Sequence, residues 1–514
     1  MDIPVLIAGA GPTGLNLALS LAHHCVPFRM FSDASGPGER SRAMVVQART
    51  LEFYHQLGFA QRVVDDGVII DTVHLRRGDG SADDDLAAIH FAELGRDISP
   101  YPFALAYPQD DHERFLLDRL GELGGKVEWQ TKLTDFTQDD HSVSATVERN
   151  GRAETIRCAW ICGCDGAHSQ VRESLGIGFP GGTYEQHFFV ADVRLERGFE
   201  RDLIISLGDK VLTLLFPVRP SGMQRLIGLV PPELTHRDDI RFEEIQGLAE
   251  EQLNLRVAAC DWFSTYRVHH RVADRFRVGR AFLLGDAGHI HSPAGGQGMN
   301  TGIGDAVNLG WKLAQVIQRR VTPDLLSTYE DERIGFARSL VSTTDRAFTG
   351  IVAGGLLGEF ALHIFTPLVL SIATRTSSAQ HALFRLVSQT RIHYEDSPLS
   401  EGSAGNVSGG DRLPWLGPNG PSNFDSLRLL DWQVQIYGDA DPAFAAAVES
   451  LGLPLQTFPW EPRAEKAGFA ENSAVLIRPD GYVALALPNQ EIQKLHTFVD
   501  RWSLRFPGVQ SAAA

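Results

Sequence analysis

Pro4-Val5-Leu6-Ile7-Ala8 runs directly into Gly9-Ala10-Gly11-Pro12-Thr13-Gly14 and on through the helix-patterned stretch Leu15 to His24. A short apolar run, a turn carrying three glycines and a helical spacing after it form the opening of a βα unit. Each glycine has its own work in such a turn: Gly9 permits the tight bend, Gly11 lets bare backbone approach a pyrophosphate, and Gly14 lets helix pack on strand. Pro12 and Thr13 begin the helix, whose N-terminus meets phosphate charge. A glycine-rich turn also occurs without a ligand, but the strand before it and the helix after it favour a bound dinucleotide. The fold class that follows is α/β with a Rossmann-like core.

The same arrangement expects an acid about twenty residues further on, at the end of the next strand, to take ribose hydroxyls. The strand-like stretch Val26 to Phe31 ends at Ser32, with Asp33 one place later. Neighbours on a strand turn to opposite faces, so the role carried to Asp33 is shadowed by Ser32 as an alternative donor. A second glycine-dense turn lies far along the chain, at Gly285-Asp286-Ala287-Gly288-His289-Ile290-His291-Ser292-Pro293-Ala294-Gly295-Gly296-Gln297-Gly298-Met299-Asn300. It follows the apolar strand Ala281 to Leu284, opens an amphipathic helix and continues through Asp305-Ala306 and Asn308-Leu309 to Trp311-Lys312-Leu313. An acid in that place can hold a polyol while backbone amides approach a flat ring. A third segment, Cys162-Gly163-Cys164-Asp165-Gly166-Ala167-His168-Ser169-Gln170-Val171-Arg172, follows the apolar strand Ala159 to Ile161.

In this order the three segments resemble the single-component FAD-dependent aromatic hydroxylases, the para-hydroxybenzoate hydroxylase-like monooxygenases, whose second flavin motif reads GDAAH, two prolines and GGQGMN. Gly288 stands where the family has alanine, and Ser292 where the first proline often sits. The resemblance implies a glutathione reductase-type FAD-binding domain. It implies that Asp286, beside Gly285, binds the ribityl hydroxyls, and that Pro293, Gly296, Gly298, Met299 and Asn300 frame the isoalloxazine and offer amides to the charge on the reduced ring. The third segment resembles the family's DG motif, which lies beside both the flavin and the passing nicotinamide cofactor. Asp165 and Arg172 are its candidates, for cofactor contact or for structure. Tyr107-Pro108-Gln109 with Glu113-Arg114-Phe115-Leu116 matches the segment whose glutamine touches the ribityl chain, which gives Gln109. Arg40-Ser41-Arg42-Ala43 matches the stretch whose arginine meets FAD phosphate and ribose, which gives Arg42, a surface cation otherwise.

At 514 residues the chain exceeds the ~250–300 residues at which one hydrophobic core stops growing, so two or three domains are expected. A formal charge of -17 argues against a nucleic-acid surface, where cationic neutralisation of phosphate dominates affinity. The five cysteines lack paired CxxC spacing and read as free thiols of a reducing compartment. No basic segment precedes an apolar one at the N-terminus, so no signal peptide is indicated and a cytoplasmic location is expected. The apolar stretch 351–374 raises the question of a membrane span, but Glu359, His363 and Pro367 interrupt it, and it reads as a buried helix pair, with the lining of a large apolar substrate cavity or a subunit contact as alternatives. No membrane and no metal are expected, since HExxH and other spaced ligand sets are absent.

The pieces divide the chain into a discontinuous FAD-binding domain (1–75, 103–175 and 276–345), a substrate-binding β-sheet domain (76–102 and 176–275), a helical connection (346–400) and a C-terminal unit (401–514). Asp83-Asp84-Asp85 reads as a solvated loop, and 398–423, rich in glycine, proline and serine, as a linker or capped loop before a separate unit. Arg478-Pro479-Asp480-Gly481 between two strand-like runs resembles the hairpin of the thioredoxin-like domain in the phenol- and polyketide-hydroxylase branch. No cysteine lies beyond Cys260, so this unit has no thiol-disulfide chemistry, and its expected work is packing or dimer contact.

The resemblance implies that NADPH or NADH reduces tightly bound FAD and that O2 forms a C4a-hydroperoxide that hydroxylates a phenolic or polycyclic, polyketide-like substrate. The alternatives are a Baeyer-Villiger or epoxidising enzyme on the same scaffold and, from another class, a non-catalytic flavin-binding interaction protein. Flavin halogenases share the fold, but their paired-tryptophan segment is missing. A base for the phenol is not identifiable: His289 and His291 read as loop supports, while Tyr184, His187, Arg219, His269 and His270 fall in the expected substrate sheet and read first as structural. The chain is expected to act as a monomer or homodimer on an aromatic small molecule.

Overall fold

The computed structural model describes residues 2–39, 43–77, 85–196, 201–207, 212–219, 221–237, 239–291, 296–352 and 376–506. Arg42, Pro293, Asp83, Asp84 and nearly all of the apolar stretch 351–374 lie outside the described residues. Four sheets organise the rest.

The first is eight-stranded and mostly parallel at its centre. Ile3–Ala8 lies between Phe28–Phe31 and Arg152–Gly163, with Ala8 opposite both Phe31 and Gly163. Ala281–Leu283 joins the far side of Arg152–Gly163 in parallel. Val5, Leu6 and Ile7 are fully buried, as a strand covered on both faces requires. Helices Pro12–His23 and Gly298–Ile317 lie against one another closely enough that a Cβ on Gly310 would overlap the Ser20 hydroxyl. Cys158 and Cys162 are buried within the central strand Arg152–Gly163, and burial raises the Cys158 thiol to about 12.

The second sheet, also eight-stranded, runs in the order His289–Ile290, Val257–Val272, Gly181–Leu195, Met223–Leu229, Leu212–Arg219, Leu203–Leu207, Thr72–Arg77, Asp85–His90. Two departures from the sequence reading concern its edges. Thr72–Arg77 belongs to it as a whole, so a boundary after residue 75 cuts through a strand; nothing local distinguishes strands of one sheet from those of another. At the opposite edge, His289–Ile290, from the second glycine-rich turn, pairs with Arg271 and Val272. Phe189, Ala191 and Val193 pack with Ile245, Ala249 and Leu253 of helix Glu243–Leu253. Alternation therefore sends Phe188, Val190 and Asp192 to the other face. Ile227, paired with Val190, packs there with Met44 and Val45 of the first unit.

A six-stranded sheet forms the C-terminal unit, in the order Val407–Ser408, Glu401–Ala404, Val483–Leu487, Ser473–Ile477, Gln433–Tyr437, Leu455–Phe458. Gln433–Tyr437 and Leu455–Phe458 are parallel around helix Pro442–Ser450, and an antiparallel hairpin and helix Ile492–Trp502 follow, an order consistent with a thioredoxin-like unit. The stretch 398–423 is more than a linker. Two of its short strands join this sheet, turning at Gly405 with φ +68°. Among the described residues no helix is long and apolar enough to cross a membrane.

Candidate flavin and substrate site

The two glycine-rich turns meet at one end of the first sheet. Gly9 has φ +101°, and a Cβ there would overlap the Cys164 carbonyl oxygen; a Cβ on Gly14 would overlap the carbonyl of Gly9. These two glycines are demanded by protein packing on protein. Gly11 is different. Its φ is an ordinary -76°, and a Cβ would find nothing within 4 Å. It caps helix Pro12–His23, whose first turn carries no acid and no side-chain cap. Open space in front of an uncapped helix N-terminus fits a pyrophosphate. The Thr13 side chain serves the protein itself. Its Oγ1 would lie 2.6 Å from a Cβ on Gly285 and would overlap one on Gly302, so it joins the first turn to the second.

Asp286 is exposed, yet it faces a crevice walled by protein. Desolvation, opposed by His289 and reinforced by Asp305, raises its carboxyl above the ordinary range. Asp305 anchors the turn that carries it. Its Oδ2 accepts from the Gly285 amide at 2.9 Å and pairs with His289 Nε2 at 2.7 Å, while Oδ1 accepts from Arg333 Nε at 2.6 Å. Burial acts to raise the Asp305 carboxyl, and Arg333 and His289 hold it below the usual range. Gly288, in place of the family's alanine, lies where a Cβ would come within 3.2 Å of the Phe276 ring. Phe276 occupies the space the missing methyl would need.

Asn300 is a clamp. Its Nδ2 donates to the carbonyls of Val45 (2.9 Å) and Gly296 (2.8 Å), and its Oδ1 accepts from the Gln47 amide (2.9 Å) and the Thr50 hydroxyl (2.8 Å). Those four bonds use the side chain's capacity, so only its backbone is left to face a ring. Gly296 has φ +63° and lies against Val45, a Cβ there falling 3.0 Å from that of Val45. Gly298 begins the helix, and Met299 is half-buried against the first core.

The remaining candidates are spread around the crevice. Asp33 is exposed, and the half-buried Ser32 accepts from the Ala34 amide at 3.3 Å. Gln109 donates to Glu113 Oε1 at 2.7 Å, and Glu113 Oε2 accepts from the Gly38 amide. Asp165, next to the Cys164–Gly9 contact, accepts from the Val171 amide with Oδ2. Its Oδ1 is buried against the protein itself, 3.1 Å from where a Cβ on Gly163 would stand. Arg172 ties this segment to the other turn, donating to Ala287 O at 3.0 Å and Ala167 O at 2.9 Å.

Toward the second sheet, Asp192 and Arg225 form a buried two-bond pair at 2.6 and 2.9 Å, on the face turned to Val45. Sequence reasoning assigned neither a role; only their positions opposite one another on paired strands reveal it. Among the sheet residues it did single out, Arg219 is bound to Asp110 and Asp111, His269 to Thr183, and the Tyr184 ring lies 4.7 Å from that of His270. A groove of about 300 Å³, lined by Pro180, His270, Arg271, Val272, Asp274 and Arg338, opens at the end of strand Val257–Val272. Phe179 is shared there between the guanidinium groups of Arg172, at 4.0 Å, and Arg271, at 6.0 Å.

Residues 2–344 match the family described as FAD binding domain. The chain belongs to the FAD-dependent aromatic hydroxylases. This flavin-dependent monooxygenase is 33% identical to 6-methylpretetramide 4-monooxygenase of Streptomyces rimosus, over 93% of its own length and 90% of that protein's. It is 32% identical to pentachlorophenol 4-monooxygenase of Sphingobium chlorophenolicum, with 80% of its length and 76% of the relative's covered. The structure of OxyS anhydrotetracycline hydroxylase from Streptomyces rimosus superimposes on the monooxygenase with a TM-score of 0.76 at 27% identity, covering 98% of this chain and 99% of that one.

Proposed function

We propose that this flavoprotein draws reducing equivalents from NADPH or NADH and uses O2 to hydroxylate a phenolic or polycyclic, polyketide-like aromatic substrate. The observation that carries the reading is the junction of the two units. The turn that bears Asp286 contributes His289–Ile290 to the second sheet, while Gly296 rests on Val45, against which that sheet packs. A ring framed by Gly296, Gly298, Met299 and Asn300 would face the second sheet, the side on which the substrate would be received. Relatives named for 6-methylpretetramide, pentachlorophenol and anhydrotetracycline support a phenolic or multi-ring acceptor.

FAD, when bound, supplies the redox chemistry: it takes hydride from the nicotinamide and activates O2. The chain supplies position. Gly9, Gly11, Pro12, Thr13 and Gly14 shape the pyrophosphate site, with Gly11 offering the approach and Pro12 the helix start. Asp33 and Arg42 serve the adenosine half; Gln109, Asp165 and Asp286 serve the ribityl chain. The amides of the Gly296 to Asn300 turn meet negative charge on the reduced ring without reorganising, because Asn300 already fixes the turn. The groove lined by Arg271 and Arg338, two cations against the single carboxylate of Asp274, suits a phosphate of the nicotinamide co-substrate.

The test is NAD(P)H oxidation by the FAD-loaded protein across a panel of phenols and multi-ring polyketides under 18-O2. A compound that speeds oxidation and gains one labelled oxygen supports the reading. Oxidation that no aromatic compound stimulates, with bound FAD present, removes it.

A further inference from the structure

We infer that the hairpin Arg478–Gly481 of the C-terminal unit is a positioning element of the flavin site, acting through helices Ser327–Val352 and Ala48–Gln56. Arg478 is fully buried outside its own unit's core. It donates to Glu332 at 2.7 and 3.0 Å and to Asp480 at 3.0 and 2.6 Å, and Glu332 also takes Lys312 at 2.7 Å and the Ser397 hydroxyl. Asp480 accepts from Trp311 Nε1 at 3.0 Å, on the same helix that Gly298 begins.

Two adjacent pairs of residues carry this contact to the crevice. Glu332 faces Arg478, and its neighbour Arg333 holds Asp305, which in turn holds the Gly285 amide beside Asp286. Tyr394 links the two: its hydroxyl accepts from Arg333 at 3.1 Å, and its ring lies 5.3 Å from the Arg478 guanidinium. On the other helix, Arg49 donates to the Asp480 carbonyl at 3.1 Å and lies 4.7 Å from the Tyr482 ring, while its neighbour Thr50 bonds Asn300. Glu52, one turn on, receives Arg412 of the C-terminal unit at 2.8 and 2.7 Å. The two ends of the second glycine-rich turn, at Gly285 and at Gly296, are thus fixed, one residue removed, by groups that the C-terminal unit holds. A rotation of either helix by a fraction of a turn would move Asn300 or Asp305 with it.

The inference rests on the flavin reading of the crevice, so FAD binding by the unaltered protein is measured first; its absence sinks that reading and not the present one alone. Arg478→Met and Arg478→Lys holoproteins are then compared with it at a temperature where far-UV circular dichroism shows all three folded. The readouts are the visible absorption bands of the bound flavin, its midpoint potential and the FAD Kd. Positioning predicts altered bands, a shifted potential and a Kd raised about fivefold or more in Arg478→Met, with partial return in Arg478→Lys. If Arg478→Met does not fold, Trp311→Phe, which removes the indole donor to Asp480 together with part of the ring packed on Trp432, is read in the same way. A variant that melts earlier but keeps the flavin bands, potential and Kd of the parent overturns the inference and leaves the hairpin as structural glue.

Discussion

The flavin crevice and the joint with the C-terminal unit solve opposite problems with opposite materials. At the crevice, side chains are withdrawn: Gly9 and Gly14 give way to other backbone, Gly11 to open space, and Asn300 spends its amide group on the protein itself. At the joint, charged side chains converge: Arg478, Glu332, Lys312, Asp480, Arg49, Glu52 and Arg412 are all buried and paired. A surface meant to receive a ligand keeps its backbone groups free. A surface meant to stay closed compensates each desolvated charge with a partner, because an unpaired one costs several kcal/mol. The contrast predicts how each region fails.

The joint should fail hardest. Glu332→Gln leaves Lys312 and Arg478 without their shared carboxylate, and a loss of about 3–5 kcal/mol is expected, read as a lowered apparent Tm. A loss below about 1 kcal/mol would mean that the desolvation cost of the buried carboxylate nearly cancels its attraction to Lys312 and Arg478. Acid attacks the same place. Desolvation acts to raise the Glu332 carboxyl, but Arg478 and Lys312 hold it far below the usual 4.5. A depressed carboxyl contributes stability above its unfolded pKa, and that contribution drains away as pH falls from 4.5 toward the folded value. Thermal melts between about pH 7 and 3 should show this slope in the parent and a shallower one in Glu332→Gln.

The crevice should fail in a more selective way. Gly14→Ala forces a Cβ onto the Gly9 carbonyl and is expected to cost about 2 kcal/mol of stability as well as FAD affinity. Gly11→Ala meets no protein atom, so its melting should change by less than about 0.5 kcal/mol while its FAD Kd rises. Equal melting losses in the two variants would refute the division between packing glycine and ligand glycine. Gly288→Ala stands between these two in its stability cost: its new methyl presses on Phe276 at 3.2 Å, and about 1 kcal/mol is expected, relieved by Phe276→Leu in the same chain.

The same contrast explains what could be read in advance. Gly9, Gly11 and Gly14 lie within six residues, and spacing that short survives in the sequence as a motif. The βα opening, the second turn and the Arg478 hairpin were legible for this reason. Arg412 and Glu52 are 360 positions apart and Arg478 and Glu332 146, and an isolated charged residue reads as surface until its partner is known. Asp305 lies within the second flavin motif without a role legible there, since only the folded chain brings Gly285, His289 and Arg333 to one carboxylate. Thr13 and Asn300, read as cofactor contacts, turn their side chains to protein, which residue type alone cannot reveal. The strand Thr72–Arg77 shows the limit for domain edges: its alternation identifies a strand but not the sheet it enters.

The two-residue strand His289–Ile290 makes the second sheet and the glycine-rich turn that bears Asp286 share a ladder of hydrogen bonds. The two units are therefore not free to drift as separate rafts. Peeling the sheet from its edge exposes the amides beside Asp286, and loosening that turn frees the edge of the sheet at Arg271 and Val272. Hydrogen exchange at Ile290 and at Arg271 should follow one common clock, and a ligand that quiets one side should slow the other.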